Sequence, residues 1–153
     1  MTKEVLLKIQ GLQIAPDEQN DTIEVITPGE YYFRNGKHYF LYEEVMEGQT
    51  EKTKNIIKVA EDCMELTKRG VVNAHMLFEK NKQNVTYYYT PYGSLQIGID
   101  AGSVSVREAE NEIGVEVRYG LEINQEHLAN CRISLTATPK SKAGFQIVCL
   151  VPA

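Results

Sequence analysis

Ile113-Gly114-Val115-Glu116-Val117-Arg118-Tyr119-Gly120-Leu121-Glu122-Ile123 is the stretch that decides the fold. Every odd position is apolar and every even one is glycine or charged, a period of two that marks a strand with one buried and one wet face. Its neighbours register against it by the same alternation. Leu95, Ile97 and Ile99 precede Ala101-Gly102, which reads as a tight turn setting Ile99 opposite Val104 and Ile97 opposite Val106. A turn at Asn111-Glu112 then sets Val106 against Val117, Val104 against Tyr119 and, on the other face, Arg107 against Glu116. A looser turn between Asn124 and Leu128 sets Leu121 against Cys131, Tyr119 against Ile133 and Val117 against Leu135. A last hairpin around residues 140–142 sets Leu135 against Ile147 and Ile133 against Cys149. These consecutive strands share one apolar face, and a one-residue slip in any of them would turn its side chains over.

The N-terminal half follows the same rule with more aromatic residues. Val5, Leu7 and Ile9 alternate, and Gly11 reads as a bulge before Leu12 and Ile14 appear in the opposite phase. Residues 15–21 form a polar loop and 22–27 a strand ahead of Pro28-Gly29. Asn35-Gly36 is the strongest local signal, because this dipeptide tolerates the two positive φ angles of a type I′ hairpin turn. It sets Arg34 opposite Lys37, Phe33 opposite His38, Tyr32 opposite Tyr39 and Tyr31 opposite Phe40. That hairpin strand should end near Met46. Short strands over 55–60 and 63–68 flank a Glu61-Asp62 turn, and Arg69-Gly70 marks the next turn. Ala74, Met76 and Phe78 alternate, residues 81–84 read as a hairpin loop, and Val85, Tyr87 and Tyr89 follow before the turn Thr90-Pro91-Tyr92-Gly93.

No segment has a helical period, and about ten antiparallel strands in sequence must protect their edges, which closure into a barrel does directly. The expected fold is therefore an all-β antiparallel meander closed into a barrel, with a two-sheet β-sandwich as the alternative. A length of 153 residues, 42% hydrophobic and 24% charged, fits a single domain spanning 1–153. The net charge of −5 and pI near 5.3 argue against nucleic acid and against an anionic membrane surface as partners. Residues 1–14 lack the charged start and apolar core of a signal peptide, and no run reaches the roughly eighteen apolar residues that span a bilayer, so a cytoplasmic location is expected. Cys63, Cys131 and Cys149 stand singly in apolar patterns, as buried free thiols do.

The runs Tyr39-Phe40-Leu41-Tyr42-Glu43-Glu44, Arg69-Gly70, Met76-Leu77-Phe78-Glu79 and Thr90-Pro91-Tyr92-Gly93 resemble the YwiB-like family of uncharacterised bacterial proteins over nearly the whole chain. The resemblance implies a calycin-like β-barrel and, through the kinship of that fold with lipocalin and fatty-acid-binding barrels, a ligand cavity. The chain has no tryptophan and so lacks the Gly-x-Trp of lipocalins.

Chemistry-bearing patterns are few. His38, His75 and His127 have no metal-ligand spacing, Gly93-Ser94 is not a nucleophile elbow, and no glycine-rich loop opens a helix, so neither catalysis nor a metal nor a cofactor is expected. What remains is a surplus of aromatic rings, since tyrosine can line a pocket and keep a polar handle. Tyr31, Phe33, Tyr42, Glu44, Arg69, Tyr89 and Tyr92 are the candidate binding residues, with Arg69 as the anchor for an acidic group or as a salt-bridge partner of Glu43 or Glu44. They are expected on one side of the molecule, formed by the Asn35-Gly36 hairpin and the Thr90-Pro91-Tyr92-Gly93 turn. The function they suggest is binding of a small apolar or amphipathic molecule; the alternative is a homodimer or partner face on the aromatic hairpin, over a solid lumen.

Overall fold

The computed structural model describes residues 3–11, 24–45 and 50–140. Ten strands follow one another: β1 (Glu4–Gln10), β2 (Glu24–Arg34), β3 (Lys37–Val45), β4 (Lys52–Ala60), β5 (Cys63–Arg69), β6 (Asn73–Glu79), β7 (Lys82–Thr90), β8 (Gly93–Ala109), β9 (Glu112–Ile123) and β10 (Glu126–Pro139). Each pairs antiparallel with the next, and β10 pairs back onto β1, with Val5 opposite Pro139 and Ile9 opposite Leu135. The sheet is thus a closed barrel and not a sandwich.

Closure follows from the alternation. Val5, Leu7, Ile57, Val59, Met64, Leu66, Met76, Phe78, Ile97, Ile99, Val117, Ile133 and Leu135 point into one interior, and all are essentially removed from solvent. Burying one such aliphatic side chain stabilises the fold by roughly 1.5–3 kcal/mol, which is why the face, once set, fixes the phase of every strand. Asn35 and Gly36 take φ of 53° and 75°, and the hairpin they close has the expected register, Arg34 opposite Lys37 through Tyr31 opposite Phe40. Arg107 is exposed and Glu116 half-exposed on the outer face, as their positions require.

Several expectations need correction. Pro28-Gly29 does not precede a new strand, because β2 runs through it while paired to β1. Ala101-Gly102 is a bulge, not a turn: β8 is continuous, and the register against β9 shifts between Ala101 and Ser103. One extra residue at a bulge moves the inward phase from Ile97, Ile99 and Ala101 to Val104, which is the phase change that resembles a turn in sequence. The turn at Glu110-Asn111 comes one residue earlier than expected and that at Asn124-Gln125 is shorter than expected, so Val104 faces Val117, Val106 faces Val115, Tyr119 faces Cys131 and Val117 faces Ile133. Each pairing lies two residues from the expected one, a shift that keeps the apolar face and is invisible to alternation. Arg107 consequently stands opposite Gly114 and bonds Glu112, not Glu116. On β7 the phase is inverted: Val85, Tyr87 and Tyr89 are exposed, and Tyr88 packs against the core. The expected strand over 12–14, the loop at 15–21 and the hairpin at 140–142 with Ile147 and Cys149 lie outside the described residues.

Candidate binding cleft and inner polar girdle

In an antiparallel meander the connections alternate between two ends. Asn35-Gly36, Glu61-Asp62, Lys80-Asn81 and Glu110-Asn111 close one end; residues 70–72, Pro91-Tyr92 and Asn124-Gln125 close the other. The Asn35-Gly36 hairpin and the Tyr92 turn therefore do not form one side, as the sequence reading expected. Tyr31 and Phe33 belong to the first end. Tyr31 Oη lies 2.8 Å from His38 Nδ1, whose Nε2 lies 2.8 Å from Glu108 Oε1 of β8, while Phe33 projects beyond the barrel. Tyr42, Glu44, Arg69, Tyr89 and Tyr92 belong to the other end.

Only Tyr42 and Glu44 of these point inward. Tyr89 is on the outer face, Tyr92 is almost fully exposed in its turn, and Arg69 is exposed opposite Lys54, with no ion pair among the described residues. The cation that engages Glu44 is the neighbouring Lys68. Its Nζ donates to Glu44 Oε1 at 2.7 Å and to Asn55 Oδ1 at 2.8 Å, and Asn55 Nδ2 donates to Glu44 Oε1 at 3.2 Å. Lys68 is 6% and Asn55 1% exposed. A buried ammonium is tolerated only when paired and hydrogen-bonded, and both conditions are met here.

The registers place these groups on one row round the interior: Tyr42 opposite Asn55, Asn55 opposite Lys68, Lys68 opposite Ala74, Ala74 opposite Tyr88, Tyr88 opposite Leu95. Three of the four buried polar side chains of the described residues, Thr53, Asn55 and Lys68, lie on or beside this row. Burial, and then the Glu44 carboxylate, pushes the Tyr88 hydroxyl up to about 12 and that of Tyr42 well above the ordinary tyrosine range.

The wall beside this girdle is split. β2 and β3 pair only from Glu30–Leu41 to Arg34–Lys37; beyond that, β2 is held by β1 alone and β3 by β4 alone. Pro28 has no N–H to offer β3, and a ladder commonly ends at such a residue. At Gly29 the chain passes so near Leu41 that a Cβ would sit 2.7 Å from its carbonyl oxygen. A cavity of about 610 Å³ occupies the split, floored by Pro28, Gly29, Leu41 and Ile56, rimmed by Lys3, Lys54 and Glu43, and reaching Tyr42 and Asn55 of the girdle. A second loosening lies between β6 and β7, where the register comprises only Asn73–Tyr89 and Ala74–Tyr88 and the Asn84 side chain donates to the Leu77 carbonyl at 3.3 Å in place of a ladder bond.

A closed ten-stranded antiparallel meander with a row of buried polar side chains inside defines an all-β, closed-barrel protein. Residues 7–135 match the family model described as a domain of unknown function, DUF1934, and the chain belongs to that family. It is 26% identical over 137 residues to the uncharacterized β-barrel protein YwiB of Bacillus subtilis (strain 168), an alignment covering 88% of this chain and 95% of that one. The crystal structure of the Bacillus subtilis ywiB protein superposes with a TM-score of 0.73 at 19% identity over 90% of this chain and 92% of the other, a likeness of fold.

Lys68 went unnoticed in the sequence, although a signal was there. Met64, Leu66 and Lys68 share one phase, as do Ile57, Asn55 and Thr53, and Phe40, Tyr42 and Glu44. Three adjacent strands end their apolar phase on polar residues at the same end of the barrel.

Proposed function

We propose that this barrel binds a small amphipathic molecule in the cleft between β2 and β3, its polar group at Asn55 and Lys68 and its apolar part against Leu41 and Ile56. The observation that carries the reading is Lys68: a lysine held inside an apolar barrel, on a polar row that the cleft reaches through Tyr42 and Asn55. Its ammonium has three donor positions, of which Glu44 and Asn55 take two, so a carboxylate or sulfonate arriving through the cleft can accept the third. The deeper lumen is filled by side chains, which supports a site in the wall over one along the barrel axis. Titration with the fluorescent anion anilinonaphthalene sulfonate tests this. Saturable binding that is lost in the Glu44→Gln/Lys68→Met double variant, with the circular dichroism spectrum unchanged, supports the cleft; equal affinity in the folded double variant removes it.

A second reading, self-association, draws on the row Val85, Tyr87 and Tyr89, exposed to 57%, 50% and 52% on the outer face of β7 beside the loosened β6 edge. It moves the suggested partner face from the aromatic hairpin to β7. Sedimentation of the Tyr89→Ser variant against the parent chain measures it: a dimer that dissociates in the variant supports this face, and a monomeric parent ends the reading.

A further inference from the structure

We propose a second, independent binding site on the outer face of β8, β9 and β10, for a small zwitterion carrying one carboxylate or phosphate and one ammonium group. The three strands present a grid of outward positions whose centre is Gly120. One row runs Asp100, Gly120, Asn130; the row on one side carries Arg118 directly opposite Arg132, and the row on the other runs Gly98, Glu122, His127. A cavity of about 610 Å³ covers this grid. Its floor is main chain because Gly120 has no side chain: a Cβ there would lie 3.6 Å from His127 Cε1, 3.9 Å from Asn130 Oδ1 and 3.9 Å from Asp100 Cβ, so these side chains wall the hollow.

The charges around the hollow are not paired across it. Two arginines directly opposite on neighbouring strands repel. Arg118 lines the hollow while its Nε donates to Glu116 Oε1 at 3.2 Å, and Arg132 has no ion pair among the described residues. Of the carboxylates, Glu122 accepts from Gln83 Nε2 at 3.0 Å, a bond that passes over Gly98 where a Cβ would come within 2.9 Å of Glu122 Oε2. The Asp100 carboxylate has no hydrogen bond or ion pair among the described residues. Asp100 and Arg132 stand two strands and two residues apart, roughly 12 Å between Cα atoms from the strand spacings, so the glycine-floored hollow keeps them from meeting. A ligand with an anionic group against the Arg118–Arg132 pair and an ammonium group against Asp100 satisfies both at once, with the Asn130 amide and the His127 ring as hydrogen-bonding walls. A singly charged ligand satisfies only one side.

Amide chemical shifts of Gly120 and His127 report binding at this place and not at the β2–β3 cleft. The probes are glycine, γ-aminobutyrate and ε-aminocaproate, a series of increasing charge separation, with acetate, inorganic phosphate and ethylammonium as single-charge controls. One member of the zwitterion series should bind saturably and at least tenfold more tightly than any control, and both Arg132→Ala and Asp100→Asn should reduce its affinity at least tenfold. Both positions are exposed, so both variants should keep the parent melting temperature. Absence of saturable shifts with every zwitterion, controls that bind as tightly, or affinity unchanged in either variant would overturn the proposal.

Discussion

Lys68 and Glu44, on strands that do not pair with each other, meet at 2.7 Å beside Asn55 of the strand between them, which bonds both. The ion pair joins β3 to β5 across β4, and it is asymmetric: the Lys68 side chain is 7% exposed and that of Glu44 29%. Removing the two partners should therefore have unequal effects. Glu44→Ala leaves an ammonium buried beside a neutral amide and should cost about 2–4 kcal/mol, whereas Lys68→Met leaves a carboxylate that can turn to water and should cost about 1 kcal/mol or less. Urea midpoints in the opposite order would contradict this account of the girdle.

Val117 is fully buried and Arg107 lies outside with its Glu112 partner half in water. Val117→Ala should cost on the order of 1–3 kcal/mol from lost transfer energy and a partly relaxed cavity, and Arg107→Ala under about 1 kcal/mol, as exposed ion pairs do. Thermal or urea unfolding of the two variants checks the order.

The fold was legible wherever two constraints coincided. Asn35-Gly36 fixed a register by turn chemistry as well as by pattern, and that register is correct to the residue. Where alternation stood alone, it fixed the face but not the partner: a shift of two residues at Glu110-Asn111 and Asn124-Gln125 leaves every apolar side chain inside, so only the position and length of each turn could have decided it. Tyr87-Tyr88-Tyr89 fits either phase, since all three positions carry the same side chain, and the neighbouring register sets Tyr88 inward opposite Leu95. The site was half legible. Tyr42 and Glu44 were named, but Arg69 was preferred to Lys68 for its guanidinium chemistry when the strand phase placed Lys68, not Arg69, in line with Met64 and Leu66.

Gly11 and Gly36 separate two costs of replacing glycine. Both have positive φ, 79° and 75°, but a Cβ at Gly36 meets nothing within 4 Å whereas one at Gly11 would lie 2.0 Å from the Arg132 carbonyl oxygen. Gly36→Ala should cost about 1–2 kcal/mol from backbone strain alone. Gly11→Ala adds a main-chain collision at the β1–β10 closure and should cost clearly more. Equal midpoints for the two variants would refute the close approach.

The raised hydroxyl of Tyr88 makes stability depend on alkaline pH. The unfolded side chain loses its proton near its ordinary value of 10, while the folded one holds it up to about 12. The unfolded state therefore binds fewer protons in that window, so the stabilisation is complete below pH 10 and is lost as pH rises through the folded value. Denaturant midpoints measured across this range should fall, and should fall less steeply in Tyr88→Phe. An unchanged slope would mean that Tyr88 titrates as it does in water.

Native mass spectrometry of the protein purified from its own host, set against the same sample under denaturing conditions, tests the binding cleft most directly. The account predicts a mass of a few hundred daltons above the bare chain, released on denaturation, retained in Arg107→Ala and missing from the folded Glu44→Gln/Lys68→Met variant. The same bound mass in that double variant, or a parent chain that flies bare in every preparation, would contradict it.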